Sequence, residues 1–254
     1  MRSYGKSVKG TGPVLEDAYD IRREGIFTIM VISDGIGGEN GGETASQIAS
    51  KRASELTADL LMDRQQMIPY EEFSDRMTSV FQKINKEIVL EASGDPSLLG
   101  MGATLTVAVI AGREVLIAHI GDSRAYLIHG SSVTRLTEDH TLASELLKNS
   151  SITMEEYLVH EGRNKLVRSL GENKFITPDI YRYNIIYGDM ILLMTDGAYG
   201  VLSEKDISLC LKEHNDLETC AEKILELAGS GGSKDDMTAV MTLVVPDREK
   251  EHGI

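Results

Sequence analysis

A chain of 254 residues carrying a formal net charge of −14 lacks the basic face that nucleic acids and anionic membrane surfaces require. With 41% hydrophobic and 26% charged residues it has an ordinary globular composition, and it has no apolar run long enough to span a bilayer. The N-terminal "MRSYGKSVKGTG" has no apolar stretch of the kind a signal peptide needs, and two isolated cysteines, Cys210 and Cys220, point to thiols in a reducing, cytoplasmic compartment.

In chain order, "FTIMVIS" (Phe27–Ser33) is a β-rich run ending on Asp34, and glycines crowd the next eight positions. Ala45, Ile48, Ala49, Ala53, Leu56 and Leu60 then recur at helical spacing, which predicts a helix from Gly42 to about Asp63. Pro69 separates it from a second amphipathic helix carried by Phe73, Met77, Val80, Phe81, Ile84 and Ile88. "ATLTVAVI" and "EVLIAHI" are predicted strands joined through Ala111-Gly112-Arg113, and "RAYLIHG" is expected to continue the same meander. Residues 137–165 are polar and irregular, with one short helix over Leu142–Leu147. "DMILLMTDG" is a further strand, followed by two helices (Ser203–His214 and Leu217–Ala228), the glycine-rich "GSGGSKDD", a last strand "MTAVMTLVV" and a charged tail, 246–254. No repeat or Pro/Ser-rich linker divides the chain, so one α+β domain spanning 1–254 is expected.

Carboxylates recur where strands end. Asp34-Gly35 and Asp196-Gly197 each close an apolar strand, Asp122 separates two strands, Asp235 and Asp236 precede the last one, and Glu16-Asp17 precede the first long one. A single such aspartate is usually a turn residue. A set that converges must either hold protons or bind cations, and aspartate oxygens are hard donors suited to Mg²⁺ or Mn²⁺. No Cys/His spacing for zinc is present. His119, inside an apolar strand, reads as a packed core histidine; His140 reads as structural, and Arg163 and Arg168 as packing and ion-pairing residues.

The ordered segments "LEDAY", "SDGIGGENGGETAS", "MGATLTVAVI", "AHIGDSRAYLI", "LTEDHTLASELL", "HEGRNKLVRSLG", "LLMTDG" and "GSKDDMTAV" resemble the metal-dependent Ser/Thr protein phosphatases of the PPM (PP2C-like) family, bacterial type. The resemblance implies an α-β-β-α layered sandwich, two antiparallel sheets flanked by pairs of helices, with a mobile flap at about 141–165. It implies two core Mn²⁺ or Mg²⁺ ions and a weaker third. Asp34 would bridge the core ions, Gly35 would offer its carbonyl, and Glu16, Asp196 and Asp235 would be direct or water-mediated ligands. Asp17 would orient the cluster and Asp122 would serve the third ion; Asp34, Asp196 and Asp235 would carry the catalysis, in-line attack on a phosphoserine or phosphothreonine by water activated between two cations. The implied partners are phosphoproteins and a cognate Ser/Thr kinase, and the implied state is a monomer. The alternatives are a narrower phosphatase acting on a phosphoserine regulator, or a catalytically impaired regulatory module. Three positions depart from the family pattern. Gly12 stands where a phosphate-binding Arg is usual, leaving Lys9, Lys6 or the loop amides to take that role. Ile36 stands where many eukaryotic members have a His. Asp236 stands where Asn is usual.

Overall fold

The computed structural model describes residues 1–37, 41–213 and 216–246. Gly38, Glu39 and Asn40 of the glycine-rich segment, the last predicted residue of the Ser203–His214 helix, and nearly all of the charged tail lie outside them.

Among the described residues eleven strands form two sheets, and their pairings are antiparallel. The first sheet orders β1 (Arg2–Val8), β11 (Met237–Leu243), β10 (Met190–Met194), β7 (Arg124–His129) and β8 (Ser132–Arg135). The second orders β2 (Asp17–Glu24), β3 (Phe27–Ile36), β5 (Leu105–Ala111), β6 (Glu114–Ile120) and β9 (Asp179–Asn184), with the short β4 (Gly102–Ala103) beside the end of β3.

Alternation along the strands builds the layers. In β3, Phe27, Ile29 and Val31 pack toward α1 (Gly41–Leu61) and α2 (Tyr70–Gly94), while Met30 and Ile32 meet the facing sheet. In β10, Ile191 and Leu193 enter that same inter-sheet core, and Leu192 and Met194 turn outward to α5 (Asp196–Tyr199), α6 (Glu204–Glu213) and α7 (Leu217–Ser230). The result is helices, sheet, sheet, helices. Each fully buried large side chain contributes about 1.5–3 kcal/mol. The inward stripe of α1 consists of small residues, Ala45, Ala49 and Ala53 with Ser46, Ser50 and Ser54, so this helix lies close on its sheet. Cys210 and Cys220 are buried thiols at the contact of α6 with α7, where Cys210 Sγ donates to the Cys220 carbonyl at 3.6 Å.

Several expectations are met closely. The predicted helices correspond to α1, α2, α6 and α7, and the hairpin to β5–β6, with its turn tightened to Gly112-Arg113 because Ala111 already pairs with Glu114. "RAYLIHG" does not continue that meander. The chain turns at Gly121, whose φ of +106° suits glycine, and β7 enters the opposite sheet. The polar stretch after Thr137 holds α3 (Leu142–Lys148) where a helix is predicted, and also α4 (Met154–Val159), closed by a Thr153/Glu156 capping box.

Candidate active site

Antiparallel register brings the strand-end carboxylates to one end of the sandwich. Asp17, opening β2, pairs with Asp34, near the end of β3. In the other sheet Met194 pairs with both Arg124 and Ala239, so the end of β10 lies beside the starts of β7 and β11. Asp196 follows β10, Asp122 precedes β7, and Asp235 precedes β11.

The backbone around Asp34 is fixed on both sides. Its N–H donates to Thr104 Oγ1 and its carbonyl accepts from the Thr104 N–H, both at 2.8 Å, and Thr104 Oγ1 lies 2.8 Å from Ser123 Oγ. The Gly35 N–H donates to the Glu16 carbonyl at 3.1 Å. A Cβ on Gly35 would overlap the Gly42 carbonyl, and one on Gly42 would overlap Glu16 Oε1. The glycines therefore let the start of α1 close against Glu16, where the Gly42 N–H bonds its carboxylate.

Asp17 Oδ2 accepts from Thr195 Oγ1 at 2.8 Å and Thr238 Oγ1 at 2.7 Å, two hydroxyls from the opposite sheet. The Thr238 N–H in turn donates to Thr195 Oγ1 at 2.9 Å. Behind Asp122, the Tyr199 hydroxyl donates to the Asp122 carbonyl at 2.8 Å. Arg124 lies 3.7 Å over the Tyr199 ring and grips Asp139 through two hydrogen bonds, at 2.9 and 2.6 Å.

These carboxyls hold protons unusually tightly. Burial, then Asp17, Asp196, Asp122 and Asp235, push Asp34 well above the ordinary range. Burial raises Asp17 to about 7 against the opposing pull of Thr238 and Thr195. Burial, then Asp196 and Asp139, raise Asp122 to about 8. Asp196 is raised by burial and Asp235, and shares a hydrogen bond with Asp34. Glu16 is raised by burial, Asp236 and Asp235. Asp17 Oδ1 and Asp196 Oδ1 are buried without a hydrogen-bond partner. Arg124, a guanidinium that draws both Asp122 and Asp196 downward, is already committed to Asp139. Converging hard oxygens with orphaned lone pairs fit divalent cations. Among the described residues no three carboxylate, imidazole or thiolate side chains close on one point as a finished cage.

Lys9 does not stand free. Its ammonium donates to the carbonyls of Gly12 (2.6 Å) and Pro13 (3.4 Å) within its own exposed loop. The loop amides are partly spent as well: the Gly10 N–H donates to Asp236 and the Thr11 N–H to the Lys234 carbonyl. Lys6 is paired with Glu222 at 2.5 Å. Gly12 itself has ordinary φ, and a Cβ there would meet only the Val14 carbonyl, at 3.7 Å.

His119 is a core residue, as its apolar strand implies. Thr106 Oγ1 lies 2.8 Å from its Nδ1, the Glu138 carbonyl lies 3.1 Å from its Nε2, and burial lowers its pKa to about 3. His140 is bonded by the Gly121 N–H at Nδ1, which leaves Nε2 to donate to Asp179. Arg168 pairs with the same Asp179 at 2.8 Å, and Arg163 donates to the Leu158 carbonyl. The hydroxyls of Thr104, Thr195 and Thr238 are the parts sequence reasoning passes over. Two of them carry a local signal, a threonine next to or two residues after a strand-end aspartate in "TDG" and "DDMT", whereas Thr104, in "GAT", has no aspartate near it in sequence.

Comparison with known proteins gives this arrangement its family. Residues 4–240 match the family described as Protein phosphatase 2C. The chain belongs to the protein phosphatase 2C family. Serine/threonine phosphatase stp of Listeria innocua is 33% identical over 84% of this chain and 83% of its own length. Protein phosphatase PhpP of Streptococcus pneumoniae is 31% identical over 84% and 85%. Among solved structures, the Mycobacterium tuberculosis phosphatase PstP/Ppp superposes with a TM-score of 0.85 at 28% identity, covering 96% of this chain and 99% of that one. The catalytic domain of PstP in complex with two manganese ions gives a TM-score of 0.81 at 28% identity, covering 96% and 98%. As a PP2C member the chain is a metal-dependent protein-serine/threonine phosphatase acting on phosphoproteins. No helix among the described residues is long and apolar enough to cross a membrane.

Proposed function

We propose that this phosphatase uses a centre of two Mn²⁺ or Mg²⁺ ions, with a third held more weakly, at the carboxylate end of the sandwich. Asp34 and the Gly35 carbonyl would hold the core pair, and Glu16, Asp196 and Asp235 would complete the donor set directly or through water. Asp17 orients the cluster and Asp122 serves the outer ion. The observation carrying this reading is the pair of buried, unpartnered oxygens, Asp17 Oδ1 and Asp196 Oδ1, beside an Asp34 crowded by four other carboxyls. Bound cations would supply the charge that neutralises phosphoryl oxygens and the acidity that makes water a nucleophile.

The chain's own residues do the rest. Thr195 and Thr238 hold Asp17 ionisable and aimed, and Thr104 fixes the Asp34 backbone, so little rearrangement is needed when substrate arrives. Asp196, at the start of α5, lies within hydrogen-bond reach of Asp34, and bound cations would favour the ionised form of both. Lys9, the cation of the 9–16 loop, could reach the substrate phosphate only by leaving the Gly12 and Pro13 carbonyls that hold it. The whole 1–254 chain would act as one phosphatase unit, a cytoplasmic monomer away from membranes, opposing a Ser/Thr kinase. Hydrolysis of p-nitrophenyl phosphate and of a phosphothreonine peptide, with Mn²⁺ and after exhaustive EDTA treatment, tests the reading. Activity is expected only with the cation, and full activity after chelation overturns the metal assignment.

A further inference from the structure

Asp236 is buried, at 8% exposure, next to the exposed Asp235. Its Oδ1 accepts from the Gly10 N–H at 2.7 Å and its Oδ2 from the Glu16 N–H at 2.5 Å. One carboxylate thus ties both ends of the 10–16 loop to the start of β11. A second tie lies alongside, since the Thr11 N–H and hydroxyl both donate to the Lys234 carbonyl, at 2.8 and 3.0 Å. Gly10 rests so closely on Lys234 and Asp235 that a Cβ would overlap their backbone.

The consequence runs through Glu16. Its N–H is held by Asp236, its carbonyl holds the Gly35 N–H, and its carboxylate meets the Gly42 N–H. Glu16 is therefore placed by three backbone ties, and the first begins at Asp236. Only a group with two acceptor oxygens satisfies both N–H donors. An asparagine would turn an NH₂ against one of them, leaving buried donors face to face.

We propose that Asp236 is a positioning residue that clamps the 10–16 loop and thereby sets Glu16 and Gly35 for the cation pair. The coupling to cations rests on the metal centre proposed above; the clamp itself does not. Partners that hold metal-binding groups in place are commonly worth about 10–100-fold in metal affinity.

The test uses the full-length protein and the variants Asp236→Asn and Asp236→Ala, with Glu43→Gln as a charge control. Glu43 adds negative charge near Glu16 without touching the clamp. Amide hydrogen exchange at Gly10 and Glu16 is read in the metal-free state, and Mn²⁺ binding by titration calorimetry. Exchange should quicken at least about tenfold at one of the two amides in Asp236→Asn and at both in Asp236→Ala, the scale of losing about 1.4 kcal/mol of protection. Mn²⁺ affinity should fall about tenfold or more, while Glu43→Gln changes it less than about twofold. Should Asp236→Ala fail to fold, the isosteric Asp236→Asn carries the test. Unchanged exchange at Gly10 and Glu16 overturns the clamp. Faster exchange with unchanged Mn²⁺ affinity overturns the coupling, as does an equal loss of affinity in Glu43→Gln. If the unmutated protein binds no Mn²⁺, the metal reading has failed and so has the coupling, while exchange still decides the clamp.

Discussion

Asp17 stands directly across the β2–β3 ladder from Asp34. Among the described residues neither carboxyl is in an ion pair, and Asp17 raises the cost of ionising Asp34. The pair is thus poised for an external positive charge, and Asp34, with four carboxyls around it, is the member nearest the centre of the cluster.

Asp34→Asn should lower kcat by at least roughly 10²-fold, the scale of removing one electrostatic group aimed at the reacting centre. The fold should persist, because the Asp34 backbone is held by Thr104 whatever its side chain. Steady-state kinetics at saturating Mn²⁺ beside thermal melting checks this. A near-normal rate with normal metal content refutes the role given to Asp34.

The metal-free protein should lose stability as pH rises. Asp17 and Asp122 titrate at about 7 and about 8 when folded, against 3.8 ordinarily. Between those limits the folded chain keeps protons that the unfolded chain has released, so raising pH favours unfolding. Melting of the EDTA-treated protein should give a higher Tm at pH 5 than at pH 8, and Mn²⁺ at pH 8 should restore it. A flat or rising profile would contradict the crowded carboxyls.

Gly42→Ala should separate stability from metal use. Alanine is the better helix former by up to about 1 kcal/mol, so α1 need not suffer. The new Cβ overlaps Glu16 Oε1 and lies 2.9 Å from the Gly35 carbonyl, so both donors must move. The Mn²⁺ concentration for half-maximal activity should rise about tenfold, with Tm changed by only a few degrees. An unaltered Mn²⁺ requirement would remove Glu16 and Gly35 from the centre.

Most of the fold is legible in the sequence because helices α1 and α2 and strands β3, β5, β6, β10 and β11 each bury an apolar face. The strands β1, β2, β8 and β9 are not, for a common reason. All four are sheet edges, with one side unpaired and half-polar sequences such as "RSYGKSV" and "DAYDIRRE". The crossover of β7 is hidden too, since the turn at Gly121 looks like any hairpin turn until the second sheet is seen. At the site, the carboxylates announce themselves by position, whereas their supports are long-range: Asp17 to Thr238 spans 221 residues, and Asp236 to Glu16 spans 220. Local pattern does not encode such pairs. The bonds of Lys9 to its own loop carbonyls were equally invisible to the sequence.

Asp122→Ala should lower turnover more than it weakens the two tightly held ions. Asp122 sits on the crossover between sheets, apart from the β2–β3 ladder, and its carbonyl is tethered by Tyr199. Removing its side chain leaves Asp34, Asp196 and Asp235 in place. Calorimetry should retain the high-affinity Mn²⁺ sites while kcat falls. A titration in which all sites disappear together would count against a separate outer role.

Gly12→Arg should lower KM for p-nitrophenyl phosphate. A phosphate monoester needs positive partners, and a guanidinium offers two parallel charge-assisted hydrogen bonds. The loop currently presents none in that form: Lys9 is occupied by the Gly12 and Pro13 carbonyls, and the Gly10 and Thr11 amides by Asp236 and Lys234. Position 12 accepts a side chain, because its φ is ordinary and its surroundings are open. The variant should therefore fold with an unchanged Tm. Lys9→Ala is the companion. If the ammonium already swings onto substrate, Lys9→Ala raises KM and Gly12→Arg adds little; if it stays on the loop carbonyls, Lys9→Ala leaves KM unchanged and Gly12→Arg lowers it. Two well-folded variants that both leave KM unchanged would place phosphate recognition outside the 9–16 loop.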